Sequence, residues 1–411
     1  MLVADRTDAQ EASIVFRTPI ALVVVAFVLV MIDGYDMFIV SFLAPQISAA
    51  LDLTPVTMGQ VFAAGLAGSM IGGLVLGAVA DRAGRRTTLI ASLAVAAVAT
   101  VLCAFATTFA SFAALRFAAG LGLGGVLAAI IPLMGENFPA ERRHAAVTMM
   151  FIGYPFGGVV GGAVTAMLLE FGWRNLFFGT GLLTLLVIVA AFWLPEPARE
   201  PFAPNAKPKP SVLSSVVGLF TEGRASATLA IAIGVFCMLL VTYLLLSWTP
   251  MIAVRSGFAP RSAALCGVVL NLGGITGALV STFLVQRYGL FRVVATMIAA
   301  GALAIAALGQ LYGSTLTLMS GLFLAGALAI GAQQSTPAMA VQLYPQRMRA
   351  AASGWQIAVG RLGSILGPMI GGHLVAASVT PQTMFVLVAC PTVLAAIAYA
   401  AAGHLRPQDK G

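Results

Sequence analysis

The sequence has 411 residues, of which 60% are hydrophobic and 9% charged, whereas soluble globular proteins carry roughly 25% charged residues. This composition excludes a water-soluble fold and predicts a chain that lies in a lipid bilayer. The net charge of +8 would suggest nucleic-acid binding in a soluble protein. Here the basic residues are concentrated in the short segments between apolar stretches, where they indicate membrane topology, so we expect no nucleic-acid partner.

Twelve apolar stretches are each long enough to cross a hydrocarbon core of about 30 Å as an α-helix. They lie near residues 20–44, 57–80, 86–106, 109–135, 142–170, 174–194, 227–253, 262–286, 293–311, 315–341, 350–376 and 381–402. Seventeen of the 22 basic residues fall on one side of these spans and three on the other. Because positively charged loops stay in the cytoplasm, we predict a multi-pass protein of a bacterial-type inner membrane with both termini cytoplasmic.

The first span carries two acids three residues apart, Asp33 and Asp36. A charge inside the membrane costs at least roughly 2.5 to 3.5 kcal/mol and indicates a functional site by default. Helix-rise arithmetic places Asp33 at the depth of Arg116 in the fourth span, which predicts an Asp33–Arg116 pair with Asp36 about one turn nearer the outside.

A carboxylate in a low-dielectric interior is more easily protonated, whereas a nearby arginine favours its charged form. A partner that moves would therefore switch proton occupancy, and we predict that Asp33, Asp36 and Arg116 couple the protein to protons. Two aspartates permit one or two protons per cycle. The alternative is a static ion pair that only fixes helix packing.

Charged and glycine residues are concentrated at the predicted cytoplasmic ends of the second to fifth spans. They are Gly77, Asp81, Arg82, Gly84, Arg85, Arg86, Glu136 and Arg143. Ion pairs among them would close the cytoplasmic side and break when it opens. Basic loops that only fix topology would explain the arginines equally well, but not Asp81 and Glu136.

A proline-rich segment divides the chain and predicts a cytoplasmic linker, 195–226, between an N-terminal bundle, 1–194, and a C-terminal bundle, 227–411. An internal repeat crosses this linker at a shift of about 206 positions, since Gly157 corresponds to Gly363. Two related six-helix bundles imply alternating access around a site between them.

Arg361 lies about 16 Å into the eleventh span, near the membrane midplane. A guanidinium there requires an anion, and its planar fork can bind a carboxylate through two hydrogen bonds. We predict that Arg361 anchors the substrate. The alternative is a structural arginine that bonds backbone carbonyls or an acid of the other half.

The segment 77–86, GAVADRAGRR, resembles the signature loop of the major facilitator superfamily. Glu136 with Arg143 and Arg116 with the glycines after it resemble further motifs of that superfamily. The resemblance covers nearly the whole chain and implies an all-α membrane protein with twelve transmembrane helices in two pseudo-symmetric six-helix bundles. It also implies a transporter that acts as a monomer rather than an enzyme.

Within the superfamily, the string DGYD at 33–36 and the segment that follows Arg361 are similar to the aromatic acid:proton symporters. This resemblance implies import of benzoate-like or hydroxybenzoate-like carboxylates with protons. An aromatic ring needs flat apolar walls and a few polar contacts. The candidates that the spans offer are Tyr154, Tyr243, Trp248, Asn271, Gln333, Gln334 and Trp355.

Two other functions compete with proton symport: proton-coupled efflux on the same fold, and a membrane sensor or enzyme that uses the scaffold. Efflux is weakened because Gly158 stands where drug:proton antiporters have proline in the fifth span. The sequence has no Walker loop, nucleophile elbow or HExxH motif, so we expect no hydrolysis and no cofactor. The three histidines lack metal-ligand spacing, so we expect no metal.

Overall fold

The structure is a computed structural model that describes residues 19–192, 194, 216–221, 223–311 and 313–405. In these residues it contains twelve long helices. They are α1 (Pro19–Ala50), α2 (Pro55–Ala83), α3 (Arg85–Cys103), α4 (Phe109–Asn137), α5 (Ala140–Leu168), α6 (Trp173–Ala191), α7 (Ala225–Arg255), α8 (Pro260–Tyr288), α9 (Leu290–Leu308), α10 (Thr315–Leu343), α11 (Arg349–Ala376) and α12 (Pro381–His404). The twelve predicted spans coincide with these helices one for one.

Eleven of the twelve helices are long and apolar enough to cross a membrane. The exception is α11, which carries Arg361 near its middle and packs against α2 and α7. Helix α10 is not regular, because Gly326–Ile330 forms a π-helical turn and the helix resumes at Pro337. Of the predicted linker, residues 195–215 and 222 lie outside the described part of the chain.

Four of the described helices begin with a side-chain cap, and all four begin at the same face of the bundle. Because twelve antiparallel helices alternate in direction, Pro19 and His404 lie at the same face, here called the termini face; the opposite face is the far face. At the far face, four helices begin with a side-chain oxygen that accepts the backbone N–H three residues on, which satisfies a donor the helix leaves free. These caps are Thr54, Thr108, Ser314 and Thr380.

The two sets of six helices, called here the N half (α1–α6) and the C half (α7–α12), repeat the same close approaches. A Cβ atom added at Gly120 would clash with the carbonyl of Gly65, so α4 and α2 touch backbone to backbone. The corresponding Gly326 meets the carbonyl of Leu270 between α10 and α8. The shifts are 206 and 205 positions, so the internal repeat is present in the packing.

The halves contact each other through α1 with α7, α2 with α11 and α5 with α8. Phe62 and Trp248 meet edge to face with ring centroids 5.7 Å apart. A Cβ at Gly59 would lie 2.8 Å from the Pro368 carbonyl, and one at Gly372 would lie 2.6 Å from the Pro55 carbonyl. These residues lie in the far-face portions of their helices, so the bundle is closed at the far face.

Candidate functional site

Helix α1 carries both acids into the interior of the bundle. Asp33 and Asp36 are each 1% exposed, although their neighbours along the helix are almost all apolar. Between them, Gly34 lets the backbone of α1 approach that of α5, since a Cβ at this position would clash with the Tyr154 carbonyl. The sequence therefore places two carboxyl groups where water does not reach them freely.

Asp36 is fully satisfied by partners in its own half. The guanidinium of Arg116 on α4 donates to Asp36 Oδ1 at 2.7 Å and to the Asp36 carbonyl at 3.1 Å. Thr100 on α3 donates its hydroxyl to the other carboxylate oxygen. Arg116 is 1% exposed and lies 5.9 Å from the Phe177 ring centroid. The result is a buried and neutral ion pair within the N half.

The predicted pair between Asp33 and Arg116 is wrong, because Arg116 binds Asp36 instead. Rise arithmetic gives depth only, and an error of three residues in a helix boundary already moves a side chain by about 4.5 Å. Rotation about the helix axis and the second bond to the Asp36 carbonyl decide the partner. Neither is visible in a hydropathy profile.

Asp33 is buried and makes no hydrogen bond within the described residues. Both of its carboxylate oxygens are inaccessible to solvent and have no hydrogen-bond partner among the described residues. Its electrostatic interactions are with Asp36 on the same helix and with Arg361 on α11 of the C half. A carboxylate that is buried without hydrogen bonds is costly in its ionised form, and in the described chain Asp33 lacks the hydrogen bonds that Asp36 has.

Arg361 is half-buried on α11. Its backbone carbonyl accepts the Ser364 hydroxyl at 2.7 Å. Its guanidinium makes no hydrogen bond or ion pair at bonding distance with the described residues. Within the described part of the chain, neither a backbone carbonyl nor an acid occupies its donors, so the planar fork can accept an anion.

Two tyrosines join the halves beside these charges. The hydroxyl oxygens of Tyr154 on α5 and Tyr243 on α7 are 3.2 Å apart. Tyr154 also packs against Phe38, with ring centroids 5.4 Å apart, and interacts electrostatically with Asp33 and Arg361. We call Asp33, Tyr154, Tyr243 and Arg361 the interface cluster. It combines an acid, a cation and two phenols contributed by four helices of both halves.

A family model described as the Major Facilitator Superfamily matches residues 26–309 and 272–411, which is most of the chain. The chain belongs to the Major Facilitator Superfamily. The twelve-helix fold in two repeated halves is the fold of this superfamily, and its members are transporters. The multi-pass membrane architecture predicted from composition is therefore confirmed.

Curated relatives of this superfamily cover almost the entire chain. A gallate transporter of Pseudomonas putida is 31% identical over 94% of the chain and 92% of its own length. The 4-hydroxybenzoate transporter PcaK of Pseudomonas aeruginosa is 30% identical over 95% of the chain and 94% of its own length. A 3-(3-hydroxy-phenyl)propionate transporter of Escherichia coli is 32% identical, with 85% of each chain covered. The predicted resemblance to aromatic acid transporters is confirmed.

Solved structures confirm the fold. A D-xylose-proton symporter superposes with a TM-score of 0.76 at 16% identity, covering 95% of this chain and 98% of that one. A bacterial homolog of the human lysosomal transporter Spinster, inward-facing and unoccupied, gives a TM-score of 0.73 at 18% identity, covering 95% and 99%. Chains of such low identity share the superfamily architecture and nothing more specific.

The structure places the remaining predicted substrate residues in different surroundings. Gln333 accepts the Thr242 hydroxyl at 2.8 Å. Asn271 donates to the Gly267 carbonyl at 2.9 Å, at the contact of α5 with α8. Trp248 is fully buried and donates its indole N–H to the Pro368 carbonyl at 2.8 Å. All three are already engaged within the C half.

Two further candidates, Trp355 and Gln334, have other surroundings. Trp355 packs edge to face on Phe220, with centroids 5.7 Å apart, and Gln334 is exposed on α10. Neither makes a hydrogen bond or ring contact with the interface cluster among the described residues. For both, a role in substrate binding stays a prediction.

The charged motif at the termini face is organised within the N half. Arg85 lies 3.9 Å from Asp81, an exposed side chain, and Arg86 donates to the Phe192 carbonyl. Gly84 ends α2 with φ of 105°, a conformation that favours glycine. Arg82 is exposed. A Cβ atom added at Gly77 would lie 3.4 Å from the Cβ of Ala128. The side chains of Glu136 and Arg143 lie outside the described residues.

The sequence analysis did not identify two hydroxyl groups that form hydrogen bonds between helices. Thr100 completes the Asp36 pair, but one more threonine in an apolar helix has no distinguishing pattern. Ser41 on α1 donates to the Leu246 carbonyl and, at 3.1 Å, to the Ser247 carbonyl of α7. Pro250 lacks the N–H that would bind the Leu246 carbonyl within the helix. A proline four residues after Leu246 was therefore the sequence feature that could have indicated a free carbonyl in α7.

Proposed function

We propose that this protein imports aromatic carboxylates of the benzoate or hydroxybenzoate type by proton symport, with the two halves alternating around the interface cluster. The observation that carries the proposal is the buried Asp33, which has no hydrogen-bond partner in the described chain and lies in the field of Arg361 from the opposite half. Transport of aromatic acids by the curated relatives supports the substrate class.

In this proposal, Arg361 binds the substrate carboxylate, since its guanidinium donors are otherwise unused. The Tyr154 and Tyr243 hydroxyls face a ring substituent, and Phe38 supplies an apolar wall beside them. Asn271 and Gln333 are the secondary polar contacts, reached by exchanging their present bonds. Asp33 carries the proton, because a low-dielectric site favours its neutral form until the site opens to water of the other compartment.

The membrane orientation belongs to the same proposal. The termini face is cytoplasmic, since the basic residues concentrate there, and the membrane is a bacterial inner membrane. The motif of Asp81, Arg85 and Arg86, with Glu136 and Arg143, would tie the halves together at this face when the far face opens. The N-terminal bundle, 1–194, and the C-terminal bundle, 227–411, then move as two bodies about the linker.

Counterflow in proteoliposomes tests this function. Vesicles loaded with unlabelled 4-hydroxybenzoate should take up labelled 4-hydroxybenzoate or benzoate and exchange aliphatic carboxylates much more slowly, while protein-free vesicles control for permeation of the neutral acid. An inwardly directed proton gradient should convert this exchange into net accumulation of the labelled acid inside the vesicles. No exchange with any aromatic acid would contradict the substrate class, and accumulation only with the opposite gradient would favour the efflux antiporter.

A further inference from the structure

The four charged residues inside the spans form two pairs that differ in kind. Asp36 and Arg116 both belong to the N half and are joined by direct hydrogen bonds. Asp33 belongs to the N half and Arg361 to the C half, and no hydrogen bond joins them. A motion of one half against the other preserves the first pair and changes the separation of the second.

The Asp36 pair resists protonation for a structural reason. A proton on Asp36 would leave the Arg116 guanidinium, which is 1% exposed, as an uncompensated buried charge. It would also weaken the bond from Thr100, since a hydroxyl donates more strongly to a carboxylate than to a carboxylic acid. No comparable loss attends a proton on Asp33, because its oxygens have no partner in the described chain.

Charge balance then sets the number of protons. With Asp33 ionised and Arg361 cationic, the empty site is neutral. A substrate monocarboxylate that binds Arg361 leaves a net negative charge in a low-dielectric cavity, and one proton on Asp33 restores neutrality. The proton comes from external water, forms an O–H bond on the Asp33 carboxyl, and returns to cytoplasmic water after the substrate leaves.

We propose that a single proton, carried by Asp33, accompanies each aromatic monocarboxylate, and that Asp36 is a positioning residue whose charge stays fixed throughout the cycle. This inference rests on the proposed proton symport and makes the symport electroneutral. Three titratable or charged groups interact electrostatically with Asp33: Asp36 of α1, Tyr154 of α5 and Arg361 of α11. Next to these groups, Tyr243 of α7 meets Tyr154, whereas Arg116 of α4 and Tyr35 of α1 interact with Asp36.

The test is the steady accumulation ratio of labelled 4-hydroxybenzoate in proteoliposomes under separately imposed pH gradients and potassium diffusion potentials. One proton per monoanion predicts about tenfold accumulation per pH unit and no dependence on potential. Two protons would give about a hundredfold per pH unit and a further factor of about 50 per 100 mV. That second result would overturn the inference while leaving proton symport intact, whereas absence of any exchange would contradict the proposed function itself.

Three variants assign the proton to its residue. Asp33→Asn should retain counterflow and lose its response to the pH gradient. Thr100→Val removes one bond to Asp36 but leaves the Asp36–Arg116 pair, so it should keep the tenfold slope even if the rate falls. Asp36→Asn, where it folds, should also keep that slope in the molecules that transport. A slope that changes in Asp36→Asn or Thr100→Val, and not in Asp33→Asn, would assign the proton to Asp36 instead.

Discussion

At the scale of single residues, Arg361 has five N–H donors and uses none of them on the described chain. Replacing it with lysine keeps the charge but removes the planar fork that holds a carboxylate through two bonds. We expect Arg361→Lys to weaken 4-hydroxybenzoate binding about tenfold, and Arg361→Ala to weaken it further. Equilibrium binding to purified protein measures this directly.

A matched control for Arg361 is Arg255, which lies at the far-face end of α7 and meets the Val375 carbonyl at 3.5 Å. Arg255→Lys should leave the affinity unchanged. If Arg361→Ala bound the substrate as tightly as the unmodified protein, Arg361 would be a structural arginine and the assignment of an anchor would be wrong.

The tyrosine pair should distinguish hydroxylated from plain substrates. Removing one hydroxyl, in Tyr154→Phe or Tyr243→Phe, takes away a hydrogen bond of about 1 kcal/mol, or roughly fivefold in affinity. We expect this loss for 4-hydroxybenzoate and little change for benzoate, measured by competition against one labelled ligand. Equal losses for both acids would place the ring substituent elsewhere.

The sequence was sufficient to identify Asp33, Asp36, Arg116 and Arg361 as the charged residues inside the spans. Such charges stand out because they are rare and costly in apolar segments. It was insufficient to pair them. The partner of Arg116 depends on the rotation of α1 about its axis and on a backbone carbonyl that only the folded helices bring within 3.1 Å. The unpartnered state of Asp33 follows from the same geometry.

At the scale of helices, the crossing of α1 and α7 closes the far face. Ser41 occupies a carbonyl that Pro250 leaves free, and this bond must break when the halves separate there. Ser41→Ala should weaken the closed form by about 1 kcal/mol. Pro250→Ala should act in the same direction, since it supplies an N–H that competes for the Leu246 carbonyl.

Asp52 and Ala259 are both exposed at the far face. Spin labels at these two positions would report a weakened closed form as a larger fraction of long label-to-label distances. Pro45→Ala is the matched control. Pro45 lies inside α1 as Pro250 lies inside α7. However, the carbonyl that Pro45 leaves free does not accept the Ser41 hydroxyl. A distance distribution that is the same in Ser41→Ala and the unmodified protein would contradict this role of Ser41.

The apolar stretches of the sequence predicted all twelve long helices of the described chain, including α11, which is less apolar than the other eleven candidate membrane spans. They did not predict the π-helical turn Gly326–Ile330 or the break before Pro337, because both preserve the apolar content of α10. Hydropathy measures composition along the chain, whereas the π-helical turn is a feature of the backbone where α10 contacts α8 and α9.

At the scale of the whole molecule, the orientation predicts which loops an impermeant thiol reagent reaches in intact cells. In a variant whose native cysteines are replaced by serine, a cysteine at Ser378, which follows α11 at the far face, should react from outside. A cysteine at His404 should react only after permeabilisation. The reverse pattern would invert the membrane orientation and with it the assignment of the charged motif to the cytoplasm.

The repeat predicted two related halves, but it could not predict which face is closed. That property depends on contacts such as those of Phe62 with Trp248 and of Ser41 with Leu246. These contacts join residues that are far apart in the sequence, and neither the repeat nor the hydropathy pattern marks them.

In the proposed cycle, protons drive the protein through Asp33, and a comparison of the unmodified protein with Asp33→Asn in the same proteoliposomes tests this role. With an inward gradient of one pH unit, the unmodified protein should accumulate labelled 4-hydroxybenzoate about tenfold. Asp33→Asn should equilibrate the label by exchange and accumulate none. Accumulation by Asp33→Asn equal to that of the unmodified protein would contradict the account.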